Sequence, residues 1–506
     1  MSFENWKWPK VRDPSLRSKV LSGAAWTIAG FGSSQIIRLG SSLVLTRLLY
    51  PEAFGLIALV NVFLMGLGMF SDLGLAPNIV QNSRGDDPDF LNTAWTVQVA
   101  RGTILWFFAY LLASPASLFY DQPELRQLVP VAGLSALIAG FNSTGLPRLQ
   151  RHLAVAKFTL ITLTSHVCSV AVMIAWAMVH PTVWALVAGA VASSVMTLGL
   201  SHLAIADERN RFGWERNAAR ELLHFGRWIF LSTLLAFLVG QSDRLIFGKL
   251  MPLEMLGVYS IALMFSMVPS QVTNQVGTSV VFPALSRIIG SKGDLAAAFR
   301  RVRLAIFALG GLVVVCLFSG ARPLIEILYD PRYESAGWIL ELLVLGTWFQ
   351  ILEVPSGSAL LASGLPRWLA AANGFKLLGI ASLTPLGFWL GGFRGAISGF
   401  VAAETLRYAV CALGARRLGL KTLNLDLFLS AWVGLAACAG RYASTVIGTT
   451  DASVGLSLAG AVSVAFVIWL PVAIALLRAE RYLLRSIVDF FRHAAPFRRR
   501  VSRIGE

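Results

Sequence analysis

TRLLYPEAFGLIAL (46–59) aligns without a gap on GKLMPLEMLGVYSI (248–261). The match extends outward: Trp26, Arg47, Leu48, Glu52 and Gly55 recur as Trp228, Lys249, Leu250, Glu254 and Gly257 at one constant offset (228 − 26 = 202). Arg101 falls on Arg303, and LFYD (118–121) returns as ILYD (327–330) after a short insertion. Shared tryptophan, carboxylate and basic positions at one spacing set this apart from chance likeness among apolar helices. The period is too long for a solenoid repeat and marks a duplicated half-protein.

The composition says where such a duplication resides. Of the 506 residues, 56% are hydrophobic and only 14% charged, against roughly a quarter charged in soluble domains. Apolar runs of about 20 residues recur, each long enough to cross a hydrocarbon layer of about 30 Å. Helices are expected, because backbone polar groups in lipid must be satisfied within the segment, and no barrel-like alternation appears. The reading is an all-α polytopic membrane protein with about 14 spans: 20–45, 54–76, 92–113, 126–146, 158–179, 183–205, 226–247, 256–281, 304–320, 336–360, 368–390, 395–413, 426–448 and 454–477.

A net charge of +16 raises nucleic acid as a partner, but the basic residues lie in short inter-span loops and the tail, so no nucleic acid is expected. With the N-terminus inside, cytoplasmic segments hold about 30 Lys/Arg and external ones about 5, a bias that fixes topology. The basic loops are 148–157, 208–220, 286–303 and 415–421. Both termini come out cytoplasmic. Span 1 matches span 7, six crossings on, so the halves run parallel, as two six-helix bundles related by an axis along the membrane normal. The expected division is an N-lobe (1–205), a cytoplasmic linker (206–225), a C-lobe (226–418), two extra helices (419–477) and a basic tail (478–506). In that tail Leu484, Ile487, Val488 and Phe491 oppose Arg481, Arg485 and Arg492. It reads either as an amphipathic helix on anionic lipid or as a solvated topology signal.

Cys168, Cys316, Cys411 and Cys438 all fall in apolar spans without metal spacing and read as small buried hydrophobes. No nucleophile set, phosphate-cradling loop or metal cluster appears. The sequence therefore predicts no enzyme, no cofactor and no ATP hydrolysis within this chain.

Charge at the bilayer centre costs at least about 2.5–3.5 kcal/mol, so intramembrane polar residues usually face protein or water. Span 1 carries Gln35 and Arg38, span 3 Arg101, span 7 Asp243 and Arg244, span 10 Gln350 and Glu353, span 11 Lys376, and span 12 Glu404 and Arg407. Several have a bland alternative. Arg38 and Arg244 can snorkel to the surface, Asp243 can neutralise Arg244 or pair across helices, and Glu404 with Arg407 can form a pair within one helix. Arg303 reads as a topology charge and His166 as a packing residue. Glu353 and Lys376 have no partner nearby in sequence and are the better cavity candidates. The set leans cationic, which suits an anionic substrate. Gln35, Arg38, Arg101, Arg244, Lys376 and Arg407 are the candidate headgroup contacts. Asp243, Glu353 and Glu404 are candidates for proton or ion coupling. Pro269, Pro355-Ser356-Gly357 and the small-xxx-small pair Gly395/Gly399 mark helix breaks or close packing.

Gly23 and Trp26, LTRLLYPEAFGLIAL (45–59) and FSDLGLAPNIVQ (70–81) together resemble the polysaccharide-export branch of the multidrug/oligosaccharidyl-lipid/polysaccharide flippase superfamily. Leu48, Pro51, Phe54, Gly55, Asp72, Leu73 and Gly74 carry the likeness. At 76–79 this chain reads Ala-Pro-Asn-Ile, where many relatives are more apolar. The resemblance implies two six-helix bundles and two further helices. It also implies transport of undecaprenyl-pyrophosphate-linked oligosaccharide across a bacterial inner membrane by alternating access, with membrane lipids and polysaccharide polymerase or export machinery as partners. The alternatives are a membrane-embedded polymerase or ligase, disfavoured by external loops of only about 12–15 residues, and a drug/cation antiporter, disfavoured by the N-terminal pattern and the cationic interior.

Overall fold

The computed structural model describes residues 14–70, 74–203, 210–290, 294–420, 422–448 and 453–478. The start of the chain, Asp72 and Leu73, and the tail beyond Arg478 lie outside the described residues, as does the side chain of Trp228. Among those described, all regular structure is helical. The chain resolves into two compact units, Met1–Gly257 and Val258–Glu506.

The first unit holds α1 (Pro14–Leu48), α2 (Pro51–Phe70), α3 (Leu75–Gln81), α4 (Pro88–Tyr120), α5 (Leu125–Gly140), α6 (Gly145–Arg151), α7 (Val155–Val179), α8 (Trp184–Leu203) and α9 (Arg216–Leu250). Span 2 therefore stops near Phe70, short of the expected 76, and Asn78 belongs to the separate short α3. Asp87 starts α4 by accepting the Asp89 N–H at 3.0 Å, with Pro88 next in the first turn. The α5–α6 pair bends by 62°. Gln98 satisfies carbonyls freed at that break, its Nε2 donating to the oxygens of Ala139, Gly140 and Asn142. An extended strap, 210–215, is stitched to α4 by side chains: Asn92 accepts the Arg211 N–H, Thr96 exchanges hydrogen bonds with both backbone groups of Gly213, and Thr93 accepts the Glu215 N–H. The strap delivers the chain into α9, which packs on α2 and α4.

The second unit takes most of α10 (Leu253–Val276), then a π-turn (Gly277–Val281), α11 (Phe282–Gly290), α12 (Leu295–Ser319), α13 (Ala321–Leu328), α14 (Ala336–Ala362), α15 (Pro366–Arg417), α16 (Leu423–Gly448) and α17 (Val454–Arg478). Helix α14 is its centre, and every residue from Ile351 to Leu360 is buried. The helix runs on through Pro355 without the interruption the sequence led us to expect. Helix α15 is two arms joined at Gly391 and Gly392, the latter at φ +59°, a left-handed conformation that favours glycine. Gly387 and Gly395 then face each other's carbonyls across the hairpin, and Gly399 faces Leu383. This is the close approach foreseen for Gly395/Gly399. Helices α16 and α17 pack on α12, where the Trp469 indole N–H donates to the Ala308 carbonyl at 2.9 Å.

Among the described residues, ten helices are long and apolar enough to cross a membrane, eleven if the bent α5–α6 pair is one span. The expected fourteen would also include α1 and α9, which are not among those ten, and would count the two arms of α15 separately.

Candidate functional site

The buried stretch of α14 leaves Glu353 only 5% exposed, and a buried charge is tolerated only when paired. Its partner comes from the second arm of α15: Arg407 Nη2 lies 3.1 Å from Glu353 Oε2. The Cys411 thiol, one turn further along that arm, donates to Glu353 Oε1 at 3.4 Å. Gly357 makes room for the carboxylate, since a Cβ there would stand 2.6 Å from Glu353 Oε1. Beside this pair, Lys376 Nζ reaches Glu404 Oε1 at 2.5 Å, and Gln350 Nε2 donates to the same oxygen at 2.9 Å. Both groups of the Lys376–Glu404 pair are over nine-tenths buried, while the Arg407 side chain keeps 26% exposure. Glu404 Oε2 has no hydrogen-bond partner among the described residues.

Four of the nine sequence candidates thus form one layer, with two corrections. Glu353 and Lys376 do have partners, on elements distant in sequence. Glu404 and Arg407 do not pair within their helix; each turns to a different neighbour. The layer holds two cations and two carboxylates, so here the interior is balanced, not cationic.

A second buried pair went unrecognised in the sequence. Arg303 is 2% exposed, bonded to Asp426 and to the Thr422 carbonyl, with its guanidinium over Phe299 and Phe307. Tyr408 donates to Asp426 at 2.5 Å. Arg303 is therefore an internal strut, not the solvated topology charge expected. The signal was available: Phe299 and Phe307 lie four residues either side of it, on one face of α12.

In the first unit the candidates are dispersed. On α1, Gln35 is half-buried and Arg38 exposed. Arg101 on α4 donates to the Gly68 carbonyl at 2.8 Å and borders a cavity of about 550 Å³ with Gln98, Asn142 and Gln150. On α9, Asp243 is buried and Arg244 donates to Gln241 at 2.7 Å. His166 is exposed on α7 and is not a packing residue. Cys411 is buried, but Cys438 is exposed and Cys168 and Cys316 are half-buried.

The turn between α3 and α4 carries a surface charge network. Arg84 forks between Asp87 and Glu215 of the strap. Asp86 receives Arg148, Arg151 and His152. Partial burial works to raise the Asp86 carboxyl, but hydrogen bonds from Arg148, His152 and Arg151 outweigh it and hold it down at about 2.

Paired charges buried inside membrane-length helices define a polytopic all-helical membrane protein whose interior polar groups are built into the core. The chain belongs to the polysaccharide biosynthesis protein family, whose profile matches residues 44–337, more than half its length. It is 22% identical over 447 residues to the lipopolysaccharide biosynthesis protein WzxC of Escherichia coli K12, covering 86% of this chain and 89% of that one. It is 21% identical over 334 residues to the succinoglycan biosynthesis transport protein ExoT of Rhizobium meliloti, covering 66% and 67%. The fold is that of the lipid II flippase MurJ, with a TM-score of 0.67 at 14% identity, over 90% of this chain and 99% of that one.

Proposed function

We propose that this protein is a flippase that carries undecaprenyl-pyrophosphate-linked oligosaccharide across the bacterial inner membrane, by alternating access, for surface polysaccharide synthesis. The observation that carries the reading is membership of the polysaccharide biosynthesis family joined to the fold of a lipid II flippase. The transport name of ExoT supports it.

In this reading both termini are cytoplasmic, the two halves of the repeat act as lobes, and the product passes to polymerase or export machinery. Arg38, exposed on α1, and Arg101, at the edge of its cavity, receive the anionic pyrophosphate. The Lys376–Glu404 and Arg407–Glu353 layer couples transport to an ion or proton, with the open acceptor on Glu404 as its entry point.

Reconstitution into liposomes with fluorescent lipid-linked oligosaccharide tests the function. Wild-type protein is expected to expose the label to a membrane-impermeant quencher on the far side. Sugar polymer forming without any flipping would reassign the protein to polymer synthesis.

A further inference from the structure

Helix α3 is only seven residues long, yet it is firmly held. Leu75 and Ile79 on one side of it enter a buried cluster with Phe90, Leu91, Ala94, Val97, Ala218 and Leu222. Its other side, together with the turn that follows and the first turns of α9, encloses an open pocket of about 680 Å³, within the range of roughly 300–1,000 Å³ typical of small-ligand sites. Every side chain lining that pocket is polar. Four are amides, Asn78, Gln81, Asn82 and Asn217, joined by Glu221 and Arg220, with Arg84 at the rim.

Asn78 is 6% exposed. Its side-chain oxygen accepts from Asn82 at 3.3 Å. Asn82 also donates to Glu221 at 3.0 Å, which ties α3 to α9 and fixes the spacing of the amides. Side-chain amides offer a donor and an acceptor in one plane. That pattern matches the vicinal hydroxyls of a sugar ring, each both donor and acceptor.

We propose that this pocket is a saccharide subsite that reads hydroxyl groups of the transported oligosaccharide, apart from the groups that hold its pyrophosphate. The inference rests on the flippase reading and adds a place where sugar identity is recognised. A site built to hydrogen-bond hydroxyls rejects sugars that lack them.

The test uses full-length protein in nanodiscs, wild type and the Asn78→Leu, Asn82→Leu and Asn217→Leu variants. The first probe is the oligosaccharide released by mild acid from the lipid-linked pool of the producing cells, followed by saturation-transfer NMR. The second is undecaprenyl pyrophosphate bearing no sugar. Each substitution is expected to weaken the saccharide about tenfold, the loss of one or two neutral hydrogen bonds, and to leave the sugar-free lipid unaffected. Asn217 is exposed, so its variant tests the site without disturbing the core. Saccharide binding that is absent in wild type, or equal in wild type and all three variants, overturns the proposal. Weakening of both probes together overturns it as well, since that reports a disturbed fold. If wild-type liposomes fail to flip while the saccharide still binds and the variants weaken it, the flippase reading falls and the sugar site stands.

Discussion

Gly55 and Gly257, equivalent positions of the internal repeat, pack against each other's helix in reciprocal fashion. A Cβ on Gly55 would strike the carbonyl of Leu253, and a Cβ on Gly257 would strike the carbonyl of Pro51. Pro51 and Leu253 are themselves repeat equivalents. The start of α2 and the start of α10 therefore meet in a reciprocal contact. The aligned stretch that reveals the duplication is the stretch that makes this crossing.

Gly55→Ala and Gly257→Ala should each destabilise the protein, because the obstructing atoms are backbone and no rotamer relieves them. Overpacking of this kind costs about 1–3 kcal/mol. Melting in detergent, followed by tryptophan fluorescence, measures it. The double variant should cost less than the sum, since both substitutions open one crossing. Strict additivity would mean that the two glycines act at independent contacts.

Breaking the Arg303–Asp426 pair on one side strands a buried charge, at a cost of about 3–5 kcal/mol. Arg303→Met and Asp426→Leu should each lower the melting temperature and the membrane abundance sharply. The double substitution should recover most of both. Single variants as stable as wild type would show that the pair is dispensable.

The cationic candidates should separate by burial. Arg38 is exposed, so Arg38→Ala should reduce surface polysaccharide about tenfold or more, the loss of a charge-assisted contact, at unchanged abundance. Lys376→Met should reduce abundance itself, because it leaves Glu404 unneutralised, and Lys376→Met with Glu404→Gln should restore it. Immunoblots of membranes beside polysaccharide yield decide the matter; normal polysaccharide from the Arg38 variant would remove that residue from the headgroup site.

Gly357→Ala should leave the fold intact while displacing the Glu353 carboxylate, since the obstructing atom is the end of a flexible side chain. Cys411, which donates to that carboxylate, reports on the change. Its labelling by a small membrane-permeant thiol reagent should rise several-fold in the variant. An unaltered labelling rate would show that Gly357 does not set the position of Glu353.

Asp86 sets an acid limit. Its folded pKa, about 2, lies below the ordinary 3.8, so the stability it contributes is fully present above pH 4. That contribution is lost as the pH falls towards 2. The melting-temperature difference between wild type and Asp86→Asn should shrink as the pH falls below 4. A difference that grows on acidification has the wrong sign for this linkage.

The helical class and the repeat were legible because apolar run length and a constant offset are one-dimensional signals. Partners were not. Lys376 and Glu404 lie on opposite arms of the α15 hairpin, and Glu353 and Arg407 on different helices, so no local window contains either pair. Arg303 was misjudged for a different reason. It ends a run of basic residues, and only the start of α12 at Leu295 shows that Arg303 turns inward while Arg300 and Arg301 stay exposed. The Asn78 pocket was missed because a lone amide in a short apolar stretch looks like a helix end.

The Arg303–Asp426 strut also makes the last two helices indispensable to the core of the second unit. Arg101, which aligns with Arg303 at the 202-residue offset, bonds the Gly68 carbonyl on α2, whereas Arg303 bonds Asp426 on α16. With Trp469 of α17 seated against Gly311 of α12, the last two helices are part of the second unit's interior. A chain cut before α16 would leave Arg303 without its carboxylate, an uncompensated charge in the core, so these two helices cannot be removed without also replacing that arginine.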